Sequence, residues 1–151
     1  MSAAAPDKAT AEDIYQDVIL DRARKPRHQR RLEAVSVSAE ERNPLCGDRV
    51  FVELDVTADG RVAALGYRAR ACAICVAAAD LMAEIVPGMA VTEVGYAAES
   101  FEAALRKGAA IPAESSIAAL GVFTSLHATP SRIQCALLAW RAVTTALAQR
   151  Q

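Results

Sequence analysis

The sequence predicts an α+β fold in which helices pack on one face of a small antiparallel β-sheet of about three strands. The first observation is a pair of strand-like segments at residues 50–57 and 61–70, joined by the turn sequence Ala58-Asp59-Gly60. The second is the order of the segments, because one helical segment precedes this hairpin and several follow it. A small sheet covered by helices buries the apolar side of both kinds of element.

The first element is a helix over residues 12–22. Apolar Ile14, Val18 and Ile19 recur there at helical spacing. Pro26 ends this helix, because proline has no backbone N–H and its ring clashes with the preceding turn.

A dense basic run and a polar linker separate this helix from the hairpin. Six of the ten residues at 22–31 are Lys or Arg. Such a run is usually a solvated face, but it can also dock an acidic partner. The linker covers residues 33–42, and a third strand is expected at residues 33–37.

The hairpin is predicted from its alternation. In residues 50–57, Val50, Val52 and Leu54 alternate with polar Glu53 and Asp55, which is typical of a half-buried strand. The turn residues then return the chain in the opposite direction over residues 61–70.

Four helical segments follow the hairpin. The first is rich in Ala and is stopped by Pro87-Gly88, and the last begins after Pro130, whose fixed φ suits the first turn of a helix. Gly and Pro residues separate the segments between them. The four segments cover residues 73–86, 100–107, 114–120 and 131–149.

Length and composition limit the class of protein. The 151 residues predict one domain over 12–151 behind a flexible tail at 1–11. The tail lacks the basic and apolar regions of a signal peptide, and no apolar stretch is long enough to span a bilayer, so we expect a cytoplasmic protein without a membrane partner. The net charge of −1 argues against nucleic acid as a partner.

The four cysteines all lie at the boundaries of predicted elements. Cys46 stands in a turn before the hairpin, Cys72 and Cys75 at the start of the Ala-rich helix, and Cys135 near the start of the last helix. At such positions a thiol can face inward and still be reached from solvent. In a reducing compartment cysteines serve as ligands or nucleophiles more often than as disulfides. The distribution therefore favours one shared metal or sulfur site.

The segment Cys46-Gly47-Asp48 adds a carboxylate to this site. Gly47 lets the backbone bend, so that the thiol and the carboxylate can converge on one ion. Thiolates suit zinc, iron–sulfur units and copper(I), whereas a carboxylate is a harder and more exchangeable ligand. Structural zinc sites usually hold only Cys and His, so this set suits a site at which a ligand must be released.

Two features favour thiolates at the other positions. Cys72 and Cys135 both stand near predicted helix N-termini, where free N–H groups and the helix dipole lower the pKa of a thiol. Arg132, three residues before Cys135, is a candidate partner of a thiolate or persulfide there.

Three separated segments carry a family resemblance. They are Asn43-Pro44-x-Cys46-Gly47-Asp48, the Cys72 loop before its Ala-rich helix, and Pro130-x-Arg132-Ile133-x-Cys135. In this order they resemble the U-type iron–sulfur cluster assembly proteins (NifU N-terminal, IscU and SufU). The similarity extends over residues 12–147 and implies the SufE/NifU-like version of the α+β fold.

Two details make the chain similar to the SufU-like branch in particular. Cys135 follows Cys72 by 63 positions, which is longer than in the IscU branch, and Gln134 stands where IscU-type scaffolds carry a histidine ligand. SufU-like members are associated with zinc held by three Cys and one Asp. The resemblance therefore implies that Cys46, Asp48, Cys72 and Cys135 are the ligands, with zinc or iron (as an iron–sulfur cluster) as the cofactor.

Cys75 departs from the family, which usually has Ser or Ala at this position. It forms a C-x-x-C pair with Cys72, one helical turn away. Cys75 is either a fourth thiolate that displaces Asp48 or a small buried residue that packs under the helix; buried packing is the commoner role of a free cysteine.

The resemblance implies a function in iron–sulfur cluster assembly. A SufS-like cysteine desulfurase would deliver persulfide sulfur to Cys46 or Cys135. The protein would then build a cluster as a scaffold, or pass the sulfur to iron–sulfur apo-proteins or other assembly machinery, as a carrier rather than an independent enzyme. The alternative is a structural zinc module that mediates interactions without sulfur chemistry.

Overall fold

The computed structural model describes residues 11–150 and contains four α-helices and one three-stranded sheet in that part of the chain. Helix α1 precedes the sheet, and α2, α3, a 3-10 helix and α4 follow it. In chain order the elements are α1 (Ala11–Arg24), β1 (Val37–Arg42), β2 (Arg49–Val56), β3 (Val62–Arg70), α2 (Ala73–Ile85), α3 (Val91–Lys107), the 3-10 helix (Ala118–Ala128) and α4 (Pro130–Ala148). The predicted tail at 1–11 lies, apart from its last residue, outside the described residues.

The sheet is antiparallel throughout, with the strand order β1-β2-β3. Val52 is the central residue of its inner face, because it pairs with Ala39 of β1 on one side and with Tyr67 of β3 on the other. The predicted α+β class and the predicted hairpin are confirmed, and both hairpin strands begin and end within a residue of their expected bounds.

The helices cover one face of the sheet. Helix α4 packs against β1 and β2, and α2 packs against β3. The inward side chains of the hairpin strands β2 and β3 are fully buried between the sheet and these helices, as the alternation predicts. They are Val50, Val52, Leu54, Leu65 and Tyr67. Trp140 of α4 and Phe101 of α3 add aromatic rings to this core, with their ring centroids 6.1 Å apart.

The outer face of the sheet is covered at one end by an extended segment, residues 29–32. Gly66 is required there, because a Cβ on it would lie 2.6 Å from the carbonyl oxygen of Arg30. Glu53, the cross-strand partner of Gly66, accepts a hydrogen bond from the backbone N–H of Leu32. The other end of this face, next to the β1–β2 loop, carries no such cover from these residues.

The basic run is anchored by one buried carboxylate, that of Asp80 on α2. Asp80 is fully buried and accepts hydrogen bonds from the backbone N–H groups of Arg27 and His28 and from the guanidinium of Arg22. The hydroxyl of Tyr67 donates a further bond at 2.9 Å. Part of the basic run therefore ties the end of α1 to α2 and β3 and is not a free charged surface.

Two predicted elements are wrong in their positions. The third strand is Val37–Arg42 and not residues 33–37, which the structure leaves outside the strands except for Val37. Helix α3 begins at Val91, nine residues before the predicted start. The edge strand is polar, so pairing with β2 decides its position. In α3, the Glu93 side chain accepts a hydrogen bond from the backbone N–H of Ala90, which stabilises the earlier start of the helix.

The segment before α4 also differs from its prediction. Instead of a helix over 114–120, the structure has the 3-10 helix Ala118–Ala128, whose Leu120 and Phe123 are buried in the core. Helix α4 itself begins at Pro130, as expected within a residue. None of the helices within residues 11–150 combines the length and apolarity needed to cross a membrane.

Candidate metal centre

The β1–β2 loop, residues 43–48, presents the first cysteine. Asn43 organises this loop: its side-chain oxygen accepts a hydrogen bond from the N–H of Leu45, and its carbonyl accepts bonds from Cys46 and Gly47. Gly47 has a φ of +77°, a left-handed conformation that favours glycine. The tight turn leaves the thiol of Cys46 exposed at the surface.

Asp48 lies at the base of this loop and is buried. One carboxylate oxygen, Oδ1, accepts a hydrogen bond of 3.1 Å from the backbone N–H of Cys72. The other oxygen, Oδ2, is buried and has no hydrogen-bond partner among the described residues. A buried carboxylate oxygen without a partner is costly, and a bound ion or an ordered water is what satisfies such an oxygen in a folded protein.

The remaining thiols come from the starts of two helices. Cys72 is the N-cap residue of α2 and is half-buried, whereas Cys135 lies in the second turn of α4 and is buried. The two thiols are joined by a hydrogen bond. Three separate elements, the β1–β2 loop, α2 and α4, therefore converge on one point.

The closest grouping of ligand atoms contains three residues. The Sγ atoms of Cys46 and Cys135 and a carboxylate oxygen of Asp48 all lie within 4.8 Å of one another, close enough to bind one metal ion. Cys72 is not one of these three residues, but its backbone N–H bonds to Asp48 and its thiol interacts with that of Cys135. The donor set of soft thiolates with one carboxylate fits zinc or iron.

The expected effect of the helix N-terminus on Cys135 is wrong. Burial raises the pKa of the Cys135 thiol to about 12, and the charges of Cys72, Cys46 and Asp48 and the hydrogen bond with Cys72 add to the shift. Desolvation and crowding of negative groups outweigh the dipole of α4, which acts mainly within the first turn. A divalent cation among these groups would reverse the balance, because it stabilises each thiolate.

Cys75 lies behind the centre in the hydrophobic core and is fully buried. Burial, and then the charge of Asp48 and of the neighbouring thiols, raises the pKa of Cys75. Its sulfur is not part of the three-residue group. This environment favours the packing role over the ligand role.

Arg132 and Gln134 flank the centre on α4. Arg132 is exposed on the first turn of the helix, and its role as a thiolate partner stays a prediction. The side-chain oxygen of Gln134 accepts a hydrogen bond from the guanidinium of Arg141. At position 134, where the resemblance places the histidine ligand of IscU-type scaffolds, this chain thus has a glutamine that bonds to Arg141.

Asn43 is a further residue of the site, and the cysteine spacing does not point to it. This residue is buried, and its backbone N–H also donates to the carbonyl of Asp48, which closes the loop at 2.8 Å. An Asn three residues before a cysteine in a Pro- and Gly-containing turn is a usable signal, because Asn side chains often bond to the backbone two residues on.

Residues 14–96 match the model of the NifU-like N terminal domain. This is more than half of the chain, and the match contains three of the four centre residues. The chain belongs to this family. The resemblance inferred from the three motifs is therefore confirmed.

Curated relatives come from both branches of the family. The chain is 25% identical over 134 residues to the iron–sulfur cluster assembly scaffold protein IscU of Streptococcus pyogenes, covering 89% of this chain and 82% of the relative. It is 24% identical over 143 residues to the zinc-dependent sulfurtransferase SufU of Bacillus subtilis, covering 95% of both chains.

Solved structures agree on the fold. A nitrogen-fixing NifU-like protein (N-terminal) from Brucella abortus superposes with a TM-score of 0.82 at 28% identity, covering 91% of this chain and 94% of that chain. A putative iron–sulfur cluster assembly scaffold protein for the SUF system from Fervidobacterium islandicum, at 22% identity, has a TM-score of 0.79 and covers 91% and 99%.

Proposed function

We propose that this protein serves iron–sulfur cluster assembly, as an acceptor of persulfide sulfur at a metal centre built by Cys46, Asp48, Cys72 and Cys135. The observation that carries the proposal is the grouping of a carboxylate oxygen of Asp48 with the Sγ atoms of Cys46 and Cys135, all within 4.8 Å of one another. The buried Oδ2 of Asp48, which has no hydrogen-bond partner among the described residues, supports it. Membership of the NifU-like family and the names of the curated relatives support it.

Cys46 is the thiol best suited to accept sulfur. It is exposed, whereas Cys135 is buried and carries a raised pKa. The Cys46 thiolate would attack the outer sulfur of the persulfide on a cysteine desulfurase. A new S–S bond forms on Cys46 as the partner's S–S bond breaks, and the partner's cysteine leaves as a thiolate. No electrons are gained or lost overall, so the step needs no further reactant.

The metal would hold the centre together and stabilise its thiolates. Zinc is favoured because Gln134 replaces a histidine ligand and because a relative of nearly equal length is named a zinc-dependent sulfurtransferase. Asp48 is then the exchangeable ligand, since a carboxylate binds zinc less tightly than a thiolate does. An iron–sulfur cluster in the same four residues is the second candidate, and the relatives named as scaffolds favour it.

The partners follow from this chemistry. A SufS-like cysteine desulfurase would supply the sulfur, and apo-proteins or other assembly components would receive sulfur or cluster. The open position of Cys46 and the adjacent exposed Leu45, at 88% exposure, suit contact with a partner.

The test compares two cysteine variants. Cys46→Ala should abolish persulfide transfer from the cognate desulfurase and lower the metal content of protein purified without oxygen. Cys75→Ala, one helical turn after Cys72, is the matched control and should retain both persulfide transfer and the metal. A Cys46→Ala variant that is normal in sulfur acceptance and metal content would disprove the assignment.

Elemental analysis of the wild type separates the remaining alternatives. About one zinc per chain with strong stimulation of the desulfurase indicates a sulfur relay, whereas iron with acid-labile sulfide indicates a scaffold. Tightly bound zinc without stimulation would instead support the structural zinc module.

A further inference from the structure

A row of arginines crosses the uncovered end of the outer sheet face. Arg49 of β2 pairs directly with Arg42 of β1 on one side and with Arg70 of β3 on the other. Cross-strand partners point to the same face of a sheet, so three guanidinium groups lie side by side. We call Arg42, Arg49, Arg68 and Arg70, with Phe51 between them, the arginine face.

The charges of this face are mostly unpaired. Arg42 forms an ion pair with Glu40, whereas Arg49, Arg68 and Arg70 have no carboxylate partner within the described residues. Like charges directly opposite each other destabilise a sheet. A fold with roughly equal numbers of acidic and basic residues that leaves three arginines unpaired on one face presents a surface suited to an anion.

An aromatic ring lies at the centre of the arginine face. The guanidinium of Arg68 stacks 5.3 Å above the ring centroid of Phe51, and Arg49 and Arg70 line the same open depression. Arginines around a half-buried aromatic ring are typical of the energetic centre of a protein–protein interface. Guanidinium forks also match carboxylates in paired hydrogen bonds.

The arginine face borders the metal centre. Arg42 and Arg49 directly flank the loop at 43–48 that presents Cys46, and Arg70 precedes Cys72 by two residues. A protein bound to this face is therefore positioned to reach the exposed Cys46 thiol. The arginine face and the centre are adjacent along the chain, because β1 and β2 flank the loop of Cys46 and β3 leads directly to Cys72.

We propose that the arginine face docks an acidic surface of the cysteine desulfurase that delivers sulfur to Cys46. The proposal rests on the function proposed above. Electrostatic attraction at this face speeds association and orients the partner's persulfide toward the β1–β2 loop. Nucleic acid is the less favoured occupant, because the chain carries a net charge of −1 and the face has a single aromatic residue for stacking.

The test is the association rate of the zinc-loaded protein with its cognate desulfurase at several salt concentrations. Arg68→Glu combined with Arg70→Glu should lower the association rate constant about tenfold at low salt, flatten its salt dependence and raise the dissociation rate. Both side chains are exposed, and Glu at position 70 lies opposite Arg49, so the variant should fold.

The matched control reverses two exposed basic residues elsewhere, Arg24→Glu and Lys107→Glu, which gives the same change in net charge. Its rates should stay within about twofold of wild type. Equal losses in both double variants, or no loss in either, would overturn the docking proposal. The proposal would also be overturned if the Arg68→Glu/Arg70→Glu variant lost binding to poly(U) RNA and kept normal binding to the desulfurase.

Persulfide transfer at saturating desulfurase separates this proposal from the proposed function. A wild type that accepts sulfur while the Arg68→Glu/Arg70→Glu variant associates normally disproves the docking surface alone. A wild type that neither binds the desulfurase nor accepts sulfur disproves both. Both double variants must contain as much zinc as the wild type if a change in association is to be attributed to the arginine face. The zinc content is measured on the same samples.

Discussion

Two buried aspartates of this fold differ in how their oxygens are satisfied. Asp80, on α2, accepts hydrogen bonds from two backbone N–H groups, one guanidinium and one tyrosine hydroxyl. Asp48, at the end of the β1–β2 loop, has one oxygen bonded to the N–H of Cys72 and one with no partner in the described chain. The hydrogen bonding of the Asp80 carboxylate is complete within the protein, whereas Oδ2 of Asp48 needs a further group to bind it.

The surroundings of the two carboxylates differ in charge as well. Burial alone would raise the pKa of Asp80, but its hydrogen bonds from Arg27, His28, Arg22 and Tyr67 outweigh this and lower it. Asp48 instead lies among thiols, and its charge is one cause of the raised pKa values of Cys75 and Cys135. Asp80 therefore stabilises the fold, whereas Asp48 fits a role in the centre.

The largest expected effect is stabilisation by zinc. Because a cation satisfies Oδ2 of Asp48 and the neighbouring thiolates, free zinc at about a thousand times its dissociation constant should raise the free energy of unfolding by about 4 kcal/mol. Denaturant unfolding with and without zinc measures this, with a chelator as the reverse titration. Asp48→Asn should lose most of the gain, because the amide is a poor ligand for zinc.

The zinc-free protein provides the control. There Asp48→Asn should change the free energy of unfolding by less than about 1 kcal/mol, because the amide oxygen can keep the bond to Cys72 and one negative charge is removed. A large destabilisation of the zinc-free variant would show that Asp48 is a structural residue like Asp80, and the contrast between the two would fail.

The second effect is the loss of the Asp80 network. Asp80→Asn should lower the free energy of unfolding by about 3 kcal/mol with or without zinc, because an amide NH₂ would face donors that now bond to a carboxylate. Glu84→Gln is the control. Glu84 shares Arg22 but is exposed, so its loss should be within about 1 kcal/mol. Equal losses in the two variants would contradict the special role of the buried site.

Acid should remove the difference in the free energy of unfolding between wild type and Asp80→Asn. The pKa of Asp80 is lowered in the folded state, so its stabilising contribution is complete above its unfolded pKa of about 3.9 and is lost as the pH falls through the folded value. The gap between the two proteins should be constant above about pH 5 and shrink below about pH 4. A gap independent of pH would mean that packing, and not the charge, is responsible.

The sequence predicted most of the fold because the two hairpin strands and the first and last helices have strong local patterns. The alternation at 50–57 and the glycine turn specify the hairpin, and Pro130 specifies the start of α4. The edge strand Val37–Arg42 could not be found this way, since half of its residues are charged and its position depends on pairing with β2. Val37, the one β-branched apolar residue of this strand, ends the predicted strand and begins the observed one.

In the site, too, local sequence patterns predicted some features, whereas others depend on how the elements pack. The motif around Cys46 and the family resemblance pointed to Cys46, Asp48 and Cys135, whose ligand atoms are grouped in the structure, and their role as ligands stays a prediction. The state of each thiol could not be predicted from position along a helix, because burial of Cys135 depends on how α4 packs against β1 and β2. The hydrogen bond from Cys72 to Asp48 likewise joins residues 24 positions apart. Only the folded sheet brings them together.

The smallest expected effect concerns the turn that holds Asp48 and Cys46 in place. Gly47→Ala meets no atom within 4 Å, but its φ of +77° is unfavourable for alanine, so it should lower the free energy of unfolding by about 1–2 kcal/mol. Gly95→Ala is the matched control, because it is equally unobstructed but helical in α3, and it should raise stability by about 0.5–1 kcal/mol. If Gly47→Ala also weakens zinc binding while Gly95→Ala does not, the left-handed turn at Gly47 positions the Asp48 carboxylate for zinc. Equal zinc affinity in both variants would limit Gly47 to a folding role and separate the turn from the centre.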